Sequence, residues 1–185
     1  TYALLKHYLK SRKIPVARLK QFKPPMAMMS LMMLELKRLG MAEIGVDMFF
    51  NQKALAENKK RLHLESIEKQ LTILENMGKG HADDLVLSTL KDLKKLAAEM
   101  DELKNAWRSG DLQQLEEIGI KPFRSEHPSL YQLMLVERNN SWIPMIESLL
   151  TTVEKELVLV GFLHLAGQEG LLAQLQTHGY QVTLF

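Results

Sequence analysis

The segment Glu156-Leu157-Val158-Leu159-Val160-Gly161-Phe162 constrains the fold most. It is a continuous apolar run of strand length, and a strand apolar on both faces belongs inside a sheet covered on both sides. A turn follows over Leu163 to Gly167, then a helix over 168–178 closed by Gly179. The chain ends on a second extended run, Tyr180-Gln181-Val182-Thr183-Leu184-Phe185. Strand, helix and strand in so little chain predict a right-handed crossover with parallel strands. A short strand is also expected at Leu62 to Glu65. The expected class is α/β: predominantly helical with a small mixed or parallel β-sheet ending in a strand-helix-strand unit. A length of 185 residues suits a single domain, 1–185.

Helical periodicity dominates elsewhere. Residues 1–13 read as an amphipathic helix, stopped near Ile14-Pro15, and a helical turn is expected over 17–22. Pro24-Pro25 opens a helix that is apolar almost all round over 26–39, with Met26, Met28, Met29, Met32 and Met33 in it, and Gly40 ends it. It is too short to span a bilayer, which takes about 20 residues. Such a helix is core, or a Met-rich surface that adapts to a partner. Asp47 to Glu57 is a third helix, and Ser66 caps a fourth that runs to about Asn76. Residues 82–107 form a long helix with Leu85, Leu90, Leu93, Leu96, Met100 and Leu103 at spacings of three and four. Asp111 caps a short helix, 122–128 is a loop, and two more helices cover about 129–137 and 140–152.

Cysteine is absent, which excludes disulfide scaffolds, thiolate metal sites and Cys nucleophiles. The net charge of +2 hides an asymmetry. Residues 1–40 carry nine Lys or Arg and one acid, Glu35, for +8, whereas the remainder carries −6. A basic region could meet nucleic acid or anionic lipid. However, no aromatic residues are interleaved with the basic ones as base stacking would require, and Lys6, Lys10 and Lys13 recur on one helix face. A solvated face, with no nucleic-acid partner, is the expectation. The chain starts at Thr1 without initiator Met or signal peptide, so a preceding segment of the same protein is expected.

His164 is the first candidate for chemistry. It lies just past the C-terminal end of the expected buried strand, the edge where parallel sheets bind ligands. Imidazole there serves as a metal ligand or general base, or is structural. Glu65 ends the short strand and could converge on the same edge, or simply face solvent beside Ser66. His63 alternates to the face opposite Leu62 and Leu64 and is not expected in the site. Glu137-Arg138-Asn139-Asn140-Ser141-Trp142 concentrates polar groups where two helices meet. There an Arg fork can orient a carboxylate and an Asn can bond backbone or substrate. Trp142 is expected in the core. Zinc-protease, nucleophile-elbow, P-loop and dinucleotide fingerprints are all absent.

Four segments together resemble the TraB/GumN family, which is related to the Tiki proteins. They are Gly45-Val46-Asp47-Met48-Phe49-Phe50, then Leu64-Glu65-Ser66-Ile67-Glu68-Lys69-Gln70-Leu71, then Leu135-Val136-Glu137-Arg138-Asn139-Asn140-Ser141-Trp142. The last is Gly161-Phe162-Leu163-His164-Leu165-Ala166-Gly167, continued by Gly170 and Gly179-Tyr180-Gln181-Val182. The resemblance covers about 45–185.

The resemblance implies a metal-dependent hydrolase, with proteolysis in Tiki-type relatives. It implies catalytic roles for Glu65, Arg138 and His164, substrate contacts from Asn139 and Glu137, and a divalent metal (zinc, manganese or cobalt) on His164 in the full-length protein. Family members pair two GxxH motifs, and only one is here, at Gly161 to His164. The chain therefore resembles the last two-thirds of a family member. As this fragment it is expected to bind no metal tightly and to be inactive. Resemblance also implies the cell envelope or periplasm, and a peptide or small-molecule substrate. Homo-oligomerisation is expected through residues 26–36 or an open sheet edge. The alternative reading is a helical interaction module that uses the Met-rich helix 26–39.

Overall fold

The computed structural model describes residues 1–41 and 45–183. Among the described residues ten α-helices follow one another: α1 (Tyr2–Ser11), α2 (Pro24–Arg38), α3 (Val46–Ala56), α4 (Ile67–Asn76), α5 (Ala82–Ser109), α6 (Leu112–Leu115), α7 (Lys121–Glu126), α8 (Pro128–Tyr131), α9 (Glu137–Leu150) and α10 (Leu171–Thr177). Single π-helical turns at Glu116–Ile120 and Gln132–Val136 join α6 to α7 and α8 to α9. Short 3-10 turns occupy Val16–Arg18 and Phe162–His164.

The structure is all-α, and this corrects the expected α/β class. The chain is 69% helical, and no strand or sheet occurs among the described residues. Residues 62–65, 156–160 and 180–183 lack regular structure, and no backbone hydrogen bond joins them to one another among the described residues. Residues 184–185, the end of the expected last strand, lie outside the described residues. An extended segment becomes a strand only by pairing its N–H and C=O groups with a neighbour. Leu157 is 64% exposed, so the apolar run is not sandwiched between layers. There is consequently no strand-helix-strand unit and no sheet edge among the described residues.

The helix expectations fare better. Pro24 and Pro25 occupy the first turn of α2, where a missing N–H leaves no hydrogen bond unmade. Gly40 follows α2 at φ +76° and Gly179 follows α10 at φ +92°, the left-handed conformation that ends helices and suits glycine. Ser66 accepts from Lys69 N at 3.2 Å and Asp111 from Gln114 N at 2.9 Å, so both caps form as read. Residues 121–126 are helical rather than loop. Arg138 and Asn139 lie in the first turn of α9, not in a junction between helices, because the π turn carries the chain from α8 into α9 without a break.

The chain packs as two compact units. The first comprises 1–62 and 66–97. Its core joins Tyr8 and Leu9 of α1, Leu19, Ala27, Met28 and Leu31 of α2, and Val86, Leu90 and Leu93 of α5. A charged residue is sealed beside it. Glu35 is 1% exposed and accepts from Arg12 Nε and Arg38 Nε, each at 2.8 Å. Burial alone would raise its pKa, but the hydrogen bonds and charges of Arg38 and Arg12 outweigh that and hold it below the usual carboxylate range. The solitary acid of residues 1–40 is thus an ion-pair centre.

The second unit comprises 63–65 and 98–183 of the described chain. One cluster gathers Ala106, Leu115, Ile120, Tyr131, Leu135 and Ala166. Another gathers Trp142, Ile143, Ile146 and Leu171, with Leu64 and Val160 against it. Gly170 shows why the 165–170 turn is so tight. A Cβ there would sit 2.5 Å from the carbonyl oxygens of Leu165 and Ala166, and those backbone atoms cannot yield cheaply.

Candidate functional site

The polar centre of the second unit is built on one face of α9. Arg138 and Asn139 leave its first turn, and Trp142 stands one turn further on, 4% exposed, in the core as the sequence suggests. The 3-10 turn after Gly161 brings His164 against this face, and the segment before α4 brings Glu65. Glu65, Arg138 and His164 are far apart in sequence and meet here.

Arg138 is the hub. Its Nε donates to Glu65 Oε2 at 3.1 Å and its Nη2 to Glu65 Oε1 at 2.6 Å, a bidentate fork. Its Nη1 donates to the Met134 carbonyl at 3.1 Å and lies 3.2 Å from His164 Nε2. The guanidinium also lies over the Trp142 ring, 4.7 Å from its centroid, a cation–π contact. The Trp142 and His164 rings are 4.5 Å apart. The pair is nearly dry: the side chains are 18% exposed for Arg138 and 4% for Glu65.

Asn139 sets the proton on His164. Its Nδ2 donates to two carbonyls, His164 O at 3.3 Å and Glu169 O at 2.8 Å. The side-chain oxygen is thereby turned toward His164 Nδ1, 2.6 Å away. Because that oxygen only accepts, Nδ1–H must donate. The remaining nitrogen, Nε2, carries a lone pair and accepts from Arg138. The tautomer is fixed from both sides. His164 is 6% exposed, and its pKa is lowered from 6.5 to about 4. Burial is the first cause and the positive charge of Arg138 the second; Glu65 opposes them.

Glu169 extends the network. Its carboxylate accepts from the Tyr131 hydroxyl at 3.0 Å and lies 3.7 Å from Arg124 Nη1. Burial, then the bond to Glu169, push the Tyr131 hydroxyl up to about 12. Gln174 Nε2 donates to the Glu169 carbonyl at 2.9 Å.

Of the five residues singled out from sequence, Glu65, Arg138, Asn139 and His164 are brought together. Glu137 is exposed on α9 and takes no part in the hydrogen bonds that join the other four. Sequence reasoning missed Glu169, Tyr131 and the stacking of Trp142 on the guanidinium. The signal that could have found Glu169 is its place between Gly167 and Gly170, in the turn just after His164.

A metal on His164 does not fit this arrangement. Both ring nitrogens are engaged, Nδ1 with Asn139 and Nε2 with Arg138, and a cation approaching Nε2 would meet the positive charge of the guanidinium 3.2 Å away. Among the described residues no group of three or more His, Asp or Glu is arranged to hold a metal ion. No helix among them is long and apolar enough to cross a membrane.

No curated protein and no solved structure matches the chain. A family model does, over residues 1–184, so the likeness extends well before residue 45, where the motifs read from sequence begin. With that match covering almost its whole length, the chain belongs to the TraB/PrgY/gumN family.

Proposed function

We propose that the chain carries a hydrolytic centre in which His164 accepts a proton from water while Arg138 holds positive charge beside the developing oxyanion, with a peptide bond as the substrate class. The observation that supports this reading is the state of His164: neutral at physiological pH, held in one tautomer, with its lone pair on Nε2 next to a fixed cation. Glu65 is a positioning residue, because it grips Nε and Nη2 of Arg138. When Nη1 gives up Nε2 to a water molecule, that grip keeps the guanidinium beside the site. A positioned acid–base group contributes about 10²–10⁴ in rate. The metal dependence implied by the resemblance forms no part of this reading, since the described residues offer no ligand set.

The test is hydrolysis of fluorescein-labelled casein by the whole protein. Turnover should fall about 100-fold or more in His164→Gln with the unfolding midpoint followed alongside. It should also stay level from pH 6 to 8, well above the His164 pKa of about 4. Absence of turnover, turnover that His164→Gln leaves intact, or activity abolished by a chelator and restored by zinc would each overturn the proposal.

A second reading has its own support. Ala27, Met28, Leu31 and Glu35 face the core of the first unit, whereas Met26, Met29 and Met33 are 43%, 45% and 58% exposed at successive turns of α2. Three exposed Met side chains in a stripe suit an adaptable interaction surface. On this reading the protein self-associates at tens of micromolar, and Met29→Glu with Met33→Glu shifts it to monomer in light scattering. A wild-type chain that is monomeric there removes the reading.

A further inference from the structure

A groove of about 400 Å³ runs between α1 and α5 within the first unit. Leu4 and Tyr8 of α1 and Leu87 and Leu90 of α5 make it apolar along its length. His7, Arg12, Lys91 and Lys94 stand along it, and among the described residues no carboxylate lines it. Long Lys stems lie along apolar surface while their ammonium groups reach outward, so the two characters coexist.

The cation at its end is fixed. Arg12 Nε donates to Glu35 Oε1 at 2.8 Å, and the guanidinium lies over the Tyr8 ring at 5.2 Å. Glu35 cannot neutralise it alone, because the same carboxylate also takes Arg38 at 2.8 Å. One carboxylate shared by two guanidinium groups leaves positive charge at the groove, and residues 1–40 add to the field with their +8.

Size narrows the occupant. A volume of about 400 Å³ is that of a small-ligand site, and its apolar walls suit one acyl chain. We propose that the groove between α1 and α5 binds a free single-chain fatty carboxylate, its tail along Leu4, Leu87 and Leu90 and its carboxylate at Arg12 and Lys94.

The experiment titrates the whole protein with dodecanoate below its micellar concentration, by calorimetry, with dodecyltrimethylammonium and anionic phospholipid vesicles as parallel probes. Dodecanoate should bind one-to-one and saturably, and the cationic probe should not bind. Lys94→Glu on the groove and Leu4→Glu at its exposed apolar end should each weaken dodecanoate about tenfold or more. Lys10→Glu, an equal charge change on α1 outside the lining, should weaken it no more than about twofold. Comparable binding of the cationic probe, an equal loss in Lys10→Glu and Lys94→Glu, binding to vesicles but not to dodecanoate, or no saturable binding would overturn the proposal. Because Leu4 is 58% exposed, its replacement leaves the core intact, and an unchanged unfolding midpoint separates lost binding from lost folding.

Discussion

Replacing Arg138 with alanine should destabilise the protein by about 3–5 kcal/mol, the range for breaking a buried ion pair from one side. The loss is large because of what stays behind. Glu65, with its side chain 4% exposed, would keep its charge without its fork, and the Trp142 face would lose the guanidinium that covers it. The Met134 carbonyl and His164 Nε2 would each lose a donor. Urea unfolding followed by circular dichroism measures the change. Arg138→Met combined with Glu65→Leu should be less destabilised than Arg138→Ala alone, since no buried charge is then left over. A single variant within about 0.5 kcal/mol of wild type would mean that the pair is solvated in solution.

His164 should make the fold acid-sensitive in a defined window. Its folded pKa of about 4 lies below the ordinary 6.5, so between these values the unfolded chain binds a proton that the folded chain refuses. Protons bound preferentially to the unfolded state favour unfolding, and stability therefore rises with pH across this range. Above pH 6.5 the imidazole is neutral in both states and the effect vanishes. Below about 4 it is charged in both, and the full penalty, at most about 3–4 kcal/mol, has been incurred. Replacing His164 with Gln should flatten the stability profile between pH 4 and 6.5 while leaving the carboxylate-driven loss below it. Asn139→Asp gives the opposite control. A carboxylate on Nδ1 favours the imidazolium, so the histidine should titrate higher in NMR and the window should narrow. A wild-type His164 resonance that titrates near 6.5 would contradict the burial described above.

The centre was more legible in the sequence than the fold around it. Arg138, Asn139 and Trp142 share a face because α-helical spacing puts residues three and four apart together, and that spacing is visible in the sequence. Glu65 and His164 were reached as the ends of two expected strands, which do not form among the described residues, and as positions in segments that resemble the family. The sheet failed because strand pairing is not local. Leu157 to Val160 has the composition of a strand, but pairing is a property of two segments, and composition in one says nothing about the other. Only Val160 of that run packs against a core cluster, and only in part. The 122–128 segment failed because Pro122 and Pro128 read as breakers, whereas both sit in first turns, where proline is welcome. Glu137, whose substrate contact came from the resemblance, is exposed on α9 and joins none of the hydrogen bonds that link the other four. Glu169 contributes both its backbone carbonyl and its carboxylate, and neither role has a residue-type signature.

The π turn at Gln132–Val136 is, in evolutionary terms, one residue too many for the helix that runs through it. Taking a residue out of that turn would let α8 and α9 merge into a regular α-helix with every backbone bond intact. It would also rotate everything downstream by about 100° about the helix axis. Arg138, with Asn139, Trp142 and the downstream His164, would then turn away from Glu65, which lies before the deletion, with no side chain changed. What holds the centre in place is therefore partly a count of residues rather than their identity. Single-residue gaps between Tyr131 and Glu137 mark where a related chain could keep every residue of the centre and still lose it.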